Sequence, residues 1–245
     1  MRKFFLSNSI DEYGLNKERK ILLTDVAGLG LSKGNAFAII HKSGFYTKTA
    51  ENAPQGQIVG TLNFIGTDPY GDYSDFMDWI LTDENLLFKY QPGEELYYCT
   101  VSLENITKTE ISAGRVLSCP VTFNILSLWC KEESFSGSSI AIVGRGQIDS
   151  CVRISISSSV APSMSLSVGS DVIGQTSSTR VISAGEEFVF STVYGESDAT
   201  INGESVIGTM TLSNNPFFRI PSGKTATLTA NAPMEVTVFH YWRTV

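Results

Sequence analysis

The sequence is short of two features that several classes of protein require: long apolar runs and an excess of basic residues. No segment of the 245 residues approaches the roughly 20 apolar residues that span a bilayer, so we expect no membrane insertion. Phe4, Phe5 and Leu6 follow Arg2 and Lys3, but this apolar run is too short for a signal peptide, and we expect assembly in the cytoplasm. The 18 basic and 25 acidic residues give a net charge of −7, which disfavours a sequence-specific nucleic-acid partner.

Histidine and cysteine are also scarce, which limits catalytic and metal chemistry. The two histidines, His41 and His240, lie far apart in the chain, so neither is predicted to join a nucleophile and an acid in a catalytic site. We interpret His240, which lies in an aromatic strand, as a core or interface residue. The four cysteines are widely spaced in or beside apolar runs, where reduced cysteines behave as small core hydrophobes. Together these features predict a protein that is not an enzyme.

Three local patterns have some likeness to ligand sites, but simpler interpretations fit them better. The segment from Gly28 to Gly34 lacks the residue order of a phosphate-binding loop and is predicted to form a turn after a strand over 21–26. The aspartates of residues 68–78 have the spacing of a solvated helix face, not of a calcium loop. The pairs Glu94-Glu95 and Glu186-Glu187 are adjacent, so on a strand their carboxylates would point apart. We therefore expect no cofactor and no metal ion.

The two halves of the chain differ in composition. The first half carries most of the charge, whereas the second is rich in serine, threonine and glycine. The polar, turn-prone stretch from Lys131 to Ser139 lies between them. We predict two domains, over residues 1–131 and 132–245.

One segment of the first domain has the period of an amphipathic helix. Its apolar residues fall at i, i+3, i+4 and i+7, and they are Tyr73, Phe76, Met77 and Ile80. Asp68-Pro69 is suited to cap the helix at its N-terminus.

The remaining patterns of the chain predict β-strands, so the fold class is mainly β. In the first domain we expect strands over 57–65, 86–90, 96–103 and 115–123, with Pro120 at an edge strand or a bulge. The second domain has about eight or nine short alternating strands, among them separate strands over 225–229 and 235–242, and Asn202-Gly203 predicts a hairpin. Such spacing is typical of a β-sandwich or jelly roll.

The C-terminal strand and several nearby rings are the candidates for an interaction site. Residues 236–242 place apolar bulk on both sides of the strand, which predicts that core covers one face and a partner the other. Tyr194, Phe217, Phe218, Tyr241 and Trp242 could stack on sugar rings at the surface, or fill the core or a subunit interface.

Several short motifs follow one another in the first half of the chain, and their order and spacing are more specific than any one of them. They are Gly28-Leu29-Gly30, Gly60-Thr61-Leu62-Asn63-Phe64, the aromatic segment from Tyr70 to Ile80, Leu87-Phe88-Lys89-Tyr90, Tyr97-Tyr98-Cys99-Thr100-Val101, Ile106-Thr107-Lys108-Thr109-Glu110 and Leu117-Ser118-Cys119-Pro120-Val121-Thr122-Phe123. In this order they resemble the N-terminal domain of the phage distal tail protein family. The stretch from Asn214 to Gly223 resembles the C-terminal half of such proteins.

The resemblance implies both a fold and a role. It implies an N-terminal split-barrel-like domain with one short helix, which closes into a hexameric ring, and a C-terminal galectin-like or carbohydrate-module-like sandwich. The ring would join the tail tube to the tail-tip hub or baseplate of a phage, a prophage or a tail-like bacteriocin. Its expected partners are copies of itself, tail-tube and hub proteins, and a receptor-binding protein seated at the virion tail tip.

Two other functions stay open from the residues alone. One is a carbohydrate-binding adhesion module that recognises host cell-wall glycan through the C-terminal sandwich. The other, less supported by the sequence, is a cytoplasmic hydrolase.

Overall fold

The structure is a computed structural model that describes residues 2–15, 20–29, 32–39, 46–112, 115–213, 215, 217–243 and 245. Strands dominate these residues, with one α-helix among them, which confirms the mainly β fold class. The chain divides into two compact units. The first comprises Met1–Cys130 with Arg243–Val245, and the second comprises Lys131–Trp242.

The first unit is a barrel that is almost closed. Its strands and helix are β1 (Lys3–Ser7), β2 (Glu12–Gly14), β3 (Ile21–Ala27), β4 (Ser32–Ile39), β5 (Tyr46–Gln55), β6 (Gln57–Ile65), α1 (Pro69–Ile80), β7 (Leu86–Gln91), β8 (Tyr97–Ile106), β9 (Thr109–Ser112) and β10 (Val116–Ile125). Antiparallel pairing gives the order β3–β6–β10–β8–β7–β1–β2, and β9 also pairs with β10. The backbone N–H of Leu23, in β3, donates to the carbonyl of Leu15, just after β2, at 3.4 Å. In the described part of the chain, this bond joins the two ends of the sheet. β4 and β5 form a separate hairpin.

Alternation of apolar residues along the strands fills the barrel. In β6, for example, the buried positions are Ile58, Gly60, Leu62 and Phe64, and the residues that alternate with them point outward. Phe88 packs against Phe123, with ring centroids 6.0 Å apart.

The helix α1 closes one side of this core. Phe76 and Ile80 are buried, and the Phe76 ring meets that of Phe64 at 5.7 Å. At the N-terminus, Gly71 N–H donates to the Asp68 carboxylate at 2.9 Å, which satisfies a backbone donor that the first turn leaves unpaired. The predicted cap and the predicted apolar face are both confirmed.

Pro120 does not lie in an edge strand, so that alternative is wrong. β10 pairs with β6 on one side and with β8 and β9 on the other. The carbonyl of Pro120 accepts from Thr107 N–H, in the connection between β8 and β9. The position of the missing proline N–H therefore faces an irregular segment, and the register to β8 shifts between Thr122 and Phe123.

The second unit is a sandwich built from two series of paired strands. They are β11 (Trp129–Val143), β12 (Ile148–Ile156), β13 (Ser163–Val168), β14 (Asp171–Ser178), β15 (Phe188–Ser191), β16 (Asp198–Ile201), β17 (Glu204–Ser205), a 3₁₀ turn (Ile207–Thr209), β18 (Met210–Ser213) and β19 (Thr225–Trp242). One series runs β18–β14–β13–β19, and the other runs β11–β19–β12–β15–β16–β17. Their inward residues form one apolar cluster.

β19 joins the two series, which differs from the sequence-based expectation. Two strands, over 225–229 and 235–242, were expected, but the structure has one strand of 18 residues. Its first part pairs with β13 and its last part with β12. Residues 238–241 are buried on both faces, as predicted, but the cover comes from the same unit. The guanidinium of Arg153 lies 5.4 Å from the Phe239 ring, and Tyr194 packs against Tyr241.

Glycine permits two tight turns that the sequence predicts. Asn202 and Gly203 have φ values of 50° and 84° and connect Ile201 to Glu204, which confirms the hairpin. Gly28 follows β3 with φ of 84°, and a Cβ there would lie 1.8 Å from the Gln57 carbonyl oxygen. The chain therefore turns at Gly28, as predicted, but Ser32, Lys33 and Gly34 belong to the strand β4 and not to the turn. Gly30 and Leu31 lie outside the described residues.

The four cysteines are buried, and no disulfide joins any two of them in the described residues, which include all four. Burial raises the pKa of the Cys99, Cys119 and Cys151 thiols. The interpretation of the cysteines as core residues is confirmed.

Candidate interaction surfaces

Three neighbouring strands of the first unit present an outer face whose own residues are all uncharged, with the Asp25 carboxylate at its border, where it accepts from Thr24 Oγ1 at 3.1 Å. We call it the uncharged sheet face, and its residues are Leu22, Thr24, Val59, Thr61, Asn63, Ile65, Val116, Ser118, Pro120 and Thr122. Asn63 lies at its centre, opposite Leu22 on β3 and Ser118 on β10. Its amide donates to Thr24 Oγ1 at 3.0 Å and accepts from Ser118 Oγ at 2.5 Å. These bonds satisfy polar groups within the face, so covering it would leave few of them unpaired.

The outer side of the helix α1 is polar and aromatic. Lys108 Nζ lies 4.6 Å from the Tyr70 ring centroid and 5.1 Å from that of Tyr73. Both distances lie within the range of cation–π attraction. Asp75 and Asp78 are exposed, as expected for a solvated face.

A histidine, a serine and a glutamate meet inside the second unit. Ser150 Oγ lies 2.8 Å from His240 Nδ1, and Glu133 Oε2 lies 3.5 Å from Nε2. The backbone N–H of Arg145 also donates to Nδ1, at 3.3 Å. Because that N–H can only donate, Nδ1 acts as an acceptor and the ring proton belongs on Nε2, towards Glu133. Burial lowers the pKa of His240, although the Glu133 carboxylate opposes the shift.

These residue types occur in serine hydrolases, but this geometry gives a substrate no access. The Ser150 and His240 side chains are fully buried. The backbone N–H and C=O of Ser150 both pair with Ile220, at 2.9 Å each, which holds the serine in the sheet. A nucleophile must reach the atom that it attacks, and Ser150 Oγ faces only the interior. The interpretation of His240 as a core residue is confirmed, whereas His41 lies outside the described residues.

The structure brings two of the five predicted aromatic residues together, with Tyr194 at the surface and Tyr241 buried beside it. Tyr194 is 41% exposed, and its ring meets that of Tyr241 at 5.3 Å. The Arg219 guanidinium lies 3.9 Å from the Tyr194 ring centroid, in cation–π contact. Tyr194 is therefore an aromatic ring held in place from below.

The other three predicted aromatic residues have different surroundings. Phe218 is fully buried in the sandwich core, so the interpretation of Phe218 as a surface stacking residue is wrong. Phe217 stacks on Phe190 with centroids 5.6 Å apart. Trp242 is half-buried, with its ring 6.0 Å from that of His240.

Sequence reasoning did not anticipate the cluster around His240. Its members come from β11, β12 and β19 and lie about a hundred residues apart at the extremes. Only the strand pairing brings these residues together. In the sequence, the one feature that pointed to a buried polar cluster was a histidine within an apolar strand.

Metal-binding and membrane-spanning features are also absent from the part of the chain that the structure describes. It contains no group of three or more His, Cys, Asp or Glu that could hold a metal ion. No helix in those ranges is long and apolar enough to cross a membrane.

Comparison with known families identifies the first unit. Residues 3–126 match the model of the distal tail protein, N-terminal domain. The match covers just over half of the chain, which therefore belongs to the distal tail protein family. No curated protein sequence matches the chain.

Solved structures agree in fold along the whole length. The chain is similar to the Dit protein (gp 19.1) of phage SPP1, with a TM-score of 0.65, 14% identity and coverage of 97% of this chain and 98% of that one. It is equally similar to a chain of the phage P2 baseplate in its activated conformation with Ca, with a TM-score of 0.65, 14% identity and full coverage of both chains. The same baseplate with Sr gives a TM-score of 0.64 at 15% identity. At these identities the likeness defines the fold.

Proposed function

We propose that this chain is a structural protein of the virion tail tip, which closes into a hexameric ring and joins the tail tube to the tail-tip hub or baseplate. The observation that carries this proposal is the match of residues 3–126 to the distal tail protein family. The full-length likeness in fold to phage baseplate chains supports it. The partners are other copies of the chain, the tail-tube and hub proteins, and the tail-tip proteins that the ring seats.

The domain over 1–131 would form the ring, and the uncharged sheet face is a suitable place for the subunit contact. Burying an unpaired charge costs far more than burying side chains that are neutral and already hydrogen-bonded. A stable ring contact also needs area, about 2,000 Å² or more for obligate interfaces. Three adjacent strands offer a continuous surface for this purpose. The domain over 132–245 would then carry contacts to other tail-tip parts.

The proposed role involves no catalysis and no cofactor. Joining a tube to a hub depends on surfaces that match, and the one serine–histidine pair described above lies in the interior. The buried cluster instead ties three strands of the sandwich together through charge-assisted contacts.

The experiment that tests the ring is a mass measurement with a charge-insertion variant. The chain is measured by itself and together with the tail-tube protein of the same virus. Size-exclusion chromatography with light scattering, and negative-stain microscopy, should show a particle of about six subunits. Val59→Arg places a charge in the uncharged sheet face and should abolish that particle. Val172→Arg is the matched control, because Val59 and Val172 are 44% and 53% exposed and Val172 lies in the second unit.

Two results would contradict the proposal. One is a wild-type chain that stays monomeric with and without the tail-tube protein. The other is a ring that forms equally well from Val59→Arg, which would exclude the uncharged sheet face as the contact.

A further inference from the structure

An open groove crosses the outer face of the sheet β11–β19–β12–β15 in the second unit. Its larger part has a volume of about 470 Å³ and is lined by Ser136, Ser155, Ser157, Glu187 and Glu235, among others. A second part of about 330 Å³ adjoins it and shares Ser136 and Glu235. Volumes of this size are typical of ligand sites.

The groove is lined by hydroxyl and carboxylate groups together with the apolar residues Phe135, Pro233, Met234 and Val236. Glu235 lies opposite Ser155 in the strand register, in the floor of the groove. Its carboxylate makes no hydrogen bond or ion pair with any residue that the structure describes, and the same holds for the hydroxyls of Ser136 and Ser157. Glu187, by contrast, already accepts a bond from Ser155. The groove therefore presents free acceptors beside hydroxyls that can both donate and accept.

The charge of the lining narrows the class of ligand. Its described residues include two glutamates and no lysine or arginine, so a phosphate or uronate chain would be repelled. Two carboxylates alone do not make a cation site, and no group of three metal-ligating residues occurs in the described ranges. The apolar face of an amphipathic helix would bury the Glu235 carboxylate without offering it a hydrogen bond.

The same face of β19 leads from the groove to the exposed aromatic ring. Glu235, Thr237, Phe239 and Tyr241 alternate on this side of the strand, and six residues of strand extend about 20 Å. Tyr241 packs against Tyr194 at the far end, with the two rings in a T-shaped arrangement. Phe239 and Tyr241 are themselves covered by Arg153 and Tyr194, so this side of the molecule has free hydrogen-bonding groups at one end and an exposed ring at the other.

Between the two ends lies a cation that is already neutralised. Arg153 is opposite Thr237, and its guanidinium is 3.1 Å from Glu196 Oε2. The other side of this guanidinium packs on Phe239. Arg153 can still donate to a neutral hydroxyl, but it gives the face no net positive charge.

We propose that this face binds a neutral oligosaccharide laid along β19. Glu235, Ser136 and Ser157 accept and donate hydrogen bonds with sugar hydroxyls in the groove. The exposed part of the Tyr194 ring, which Arg219 holds in place, stacks on a sugar ring at the other end. This site lies in the second unit and is independent of ring assembly by the first.

Binding is tested with defined probes on the full chain. Maltohexaose, cellohexaose and chitohexaose serve as neutral probes and poly(glycerol phosphate) as the anionic one, with isothermal titration calorimetry on each. At least one neutral probe should bind and poly(glycerol phosphate) should not. Glu235→Ala and Tyr194→Ala should each weaken the Kd about tenfold, whereas Tyr194→Phe should retain stacking.

Glu204→Ala is the control, because Glu204 is an exposed glutamate on β17, outside the groove. It should leave the Kd unchanged. All three substituted positions are exposed, so the variants should keep the wild-type unfolding temperature, which is measured alongside. Failure of all neutral probes, binding of the anionic probe alone, or a Kd unaffected by both alanine variants would each overturn the proposal. The mass of the ring, measured on the same samples, reports separately on assembly.

Discussion

His240 should make the second unit sensitive to mild acid. Its side chain is fully buried, Nδ1 accepts from Ser150 and Arg145, and Nε2 faces the Glu133 carboxylate. Burial disfavours the charged imidazolium and is the main reason why the pKa of His240 is below the ordinary value for histidine. The Glu133 carboxylate opposes this shift, whereas the positive charges of Arg145 and Lys131 add to it.

The sign and the size of the effect follow from proton linkage. Because the native pKa is lowered, the unfolded chain binds the proton first as the pH falls. The stability that the folded protein has with His240 neutral is therefore fully present above the unfolded pKa of about 6.5. It is lost as the pH falls through the native pKa. One proton can change the free energy of unfolding by at most about 1.4 kcal/mol per pH unit in that window.

The assay is urea unfolding followed by circular dichroism, at several values between about pH 8 and about pH 5. His240→Asn keeps an acceptor near Ser150 but does not titrate, so its profile should be flatter than that of the wild type. Since Glu133 is left with a poorer partner, the variant should be less stable at neutral pH. His41→Asn removes the other histidine and should retain the wild-type slope. The reasoning would be refuted if the free energy of unfolding fell equally with falling pH in the wild type and in His240→Asn.

Three further predictions concern stability and reactivity. Gly174→Ala would place a Cβ 2.3 Å from the Phe218 Cβ and should lower the free energy of unfolding by about 1–3 kcal/mol. Gly208 has open space around it, so Gly208→Ala should change the free energy of unfolding by no more than about 0.5 kcal/mol. Equal losses for the two variants in urea unfolding would contradict this. Asp68→Ala removes the cap of α1 and should cost about 1 kcal/mol in the same assay, while exposed Asp75→Ala should not destabilise. The four buried cysteines should react with a thiol reagent only slowly in the native protein and fully in denaturant; rapid native labelling would contradict their burial.

Local patterns were sufficient to predict several elements because neighbouring residues alone determine them. The period of Tyr73 to Ile80 and the cap at Asp68 define the helix α1. The alternation of inward and outward residues predicts the strand over Gln57–Ile65. The pair Asn202-Gly203 predicts a hairpin, because a two-residue type I′ turn requires positive φ at both of its positions.

Patterns failed where a residue's surroundings come from distant parts of the chain. Pro120 is suited to an edge, yet β10 has neighbours on both sides, and the missing donor faces an irregular connection instead. Phe218 and Tyr194 looked alike as sugar-stacking candidates, but one lies in the core and the other at the surface. Aromatic residues carry no local signal that separates these outcomes.

The sequence by itself determined that the chain is mainly β, where its helix lies and which family its first half resembles, because periodicity, turn chemistry and the order of motifs are properties of the chain. The tertiary structure alone decided that β19 passes between two series of strands, that Ser150 meets His240 in the interior, and that Glu235 and Tyr194 share one face. The physical reason is strand register. Which side chains become neighbours across a sheet depends on pairings between residues far apart in the chain, and these pairings exist only after folding.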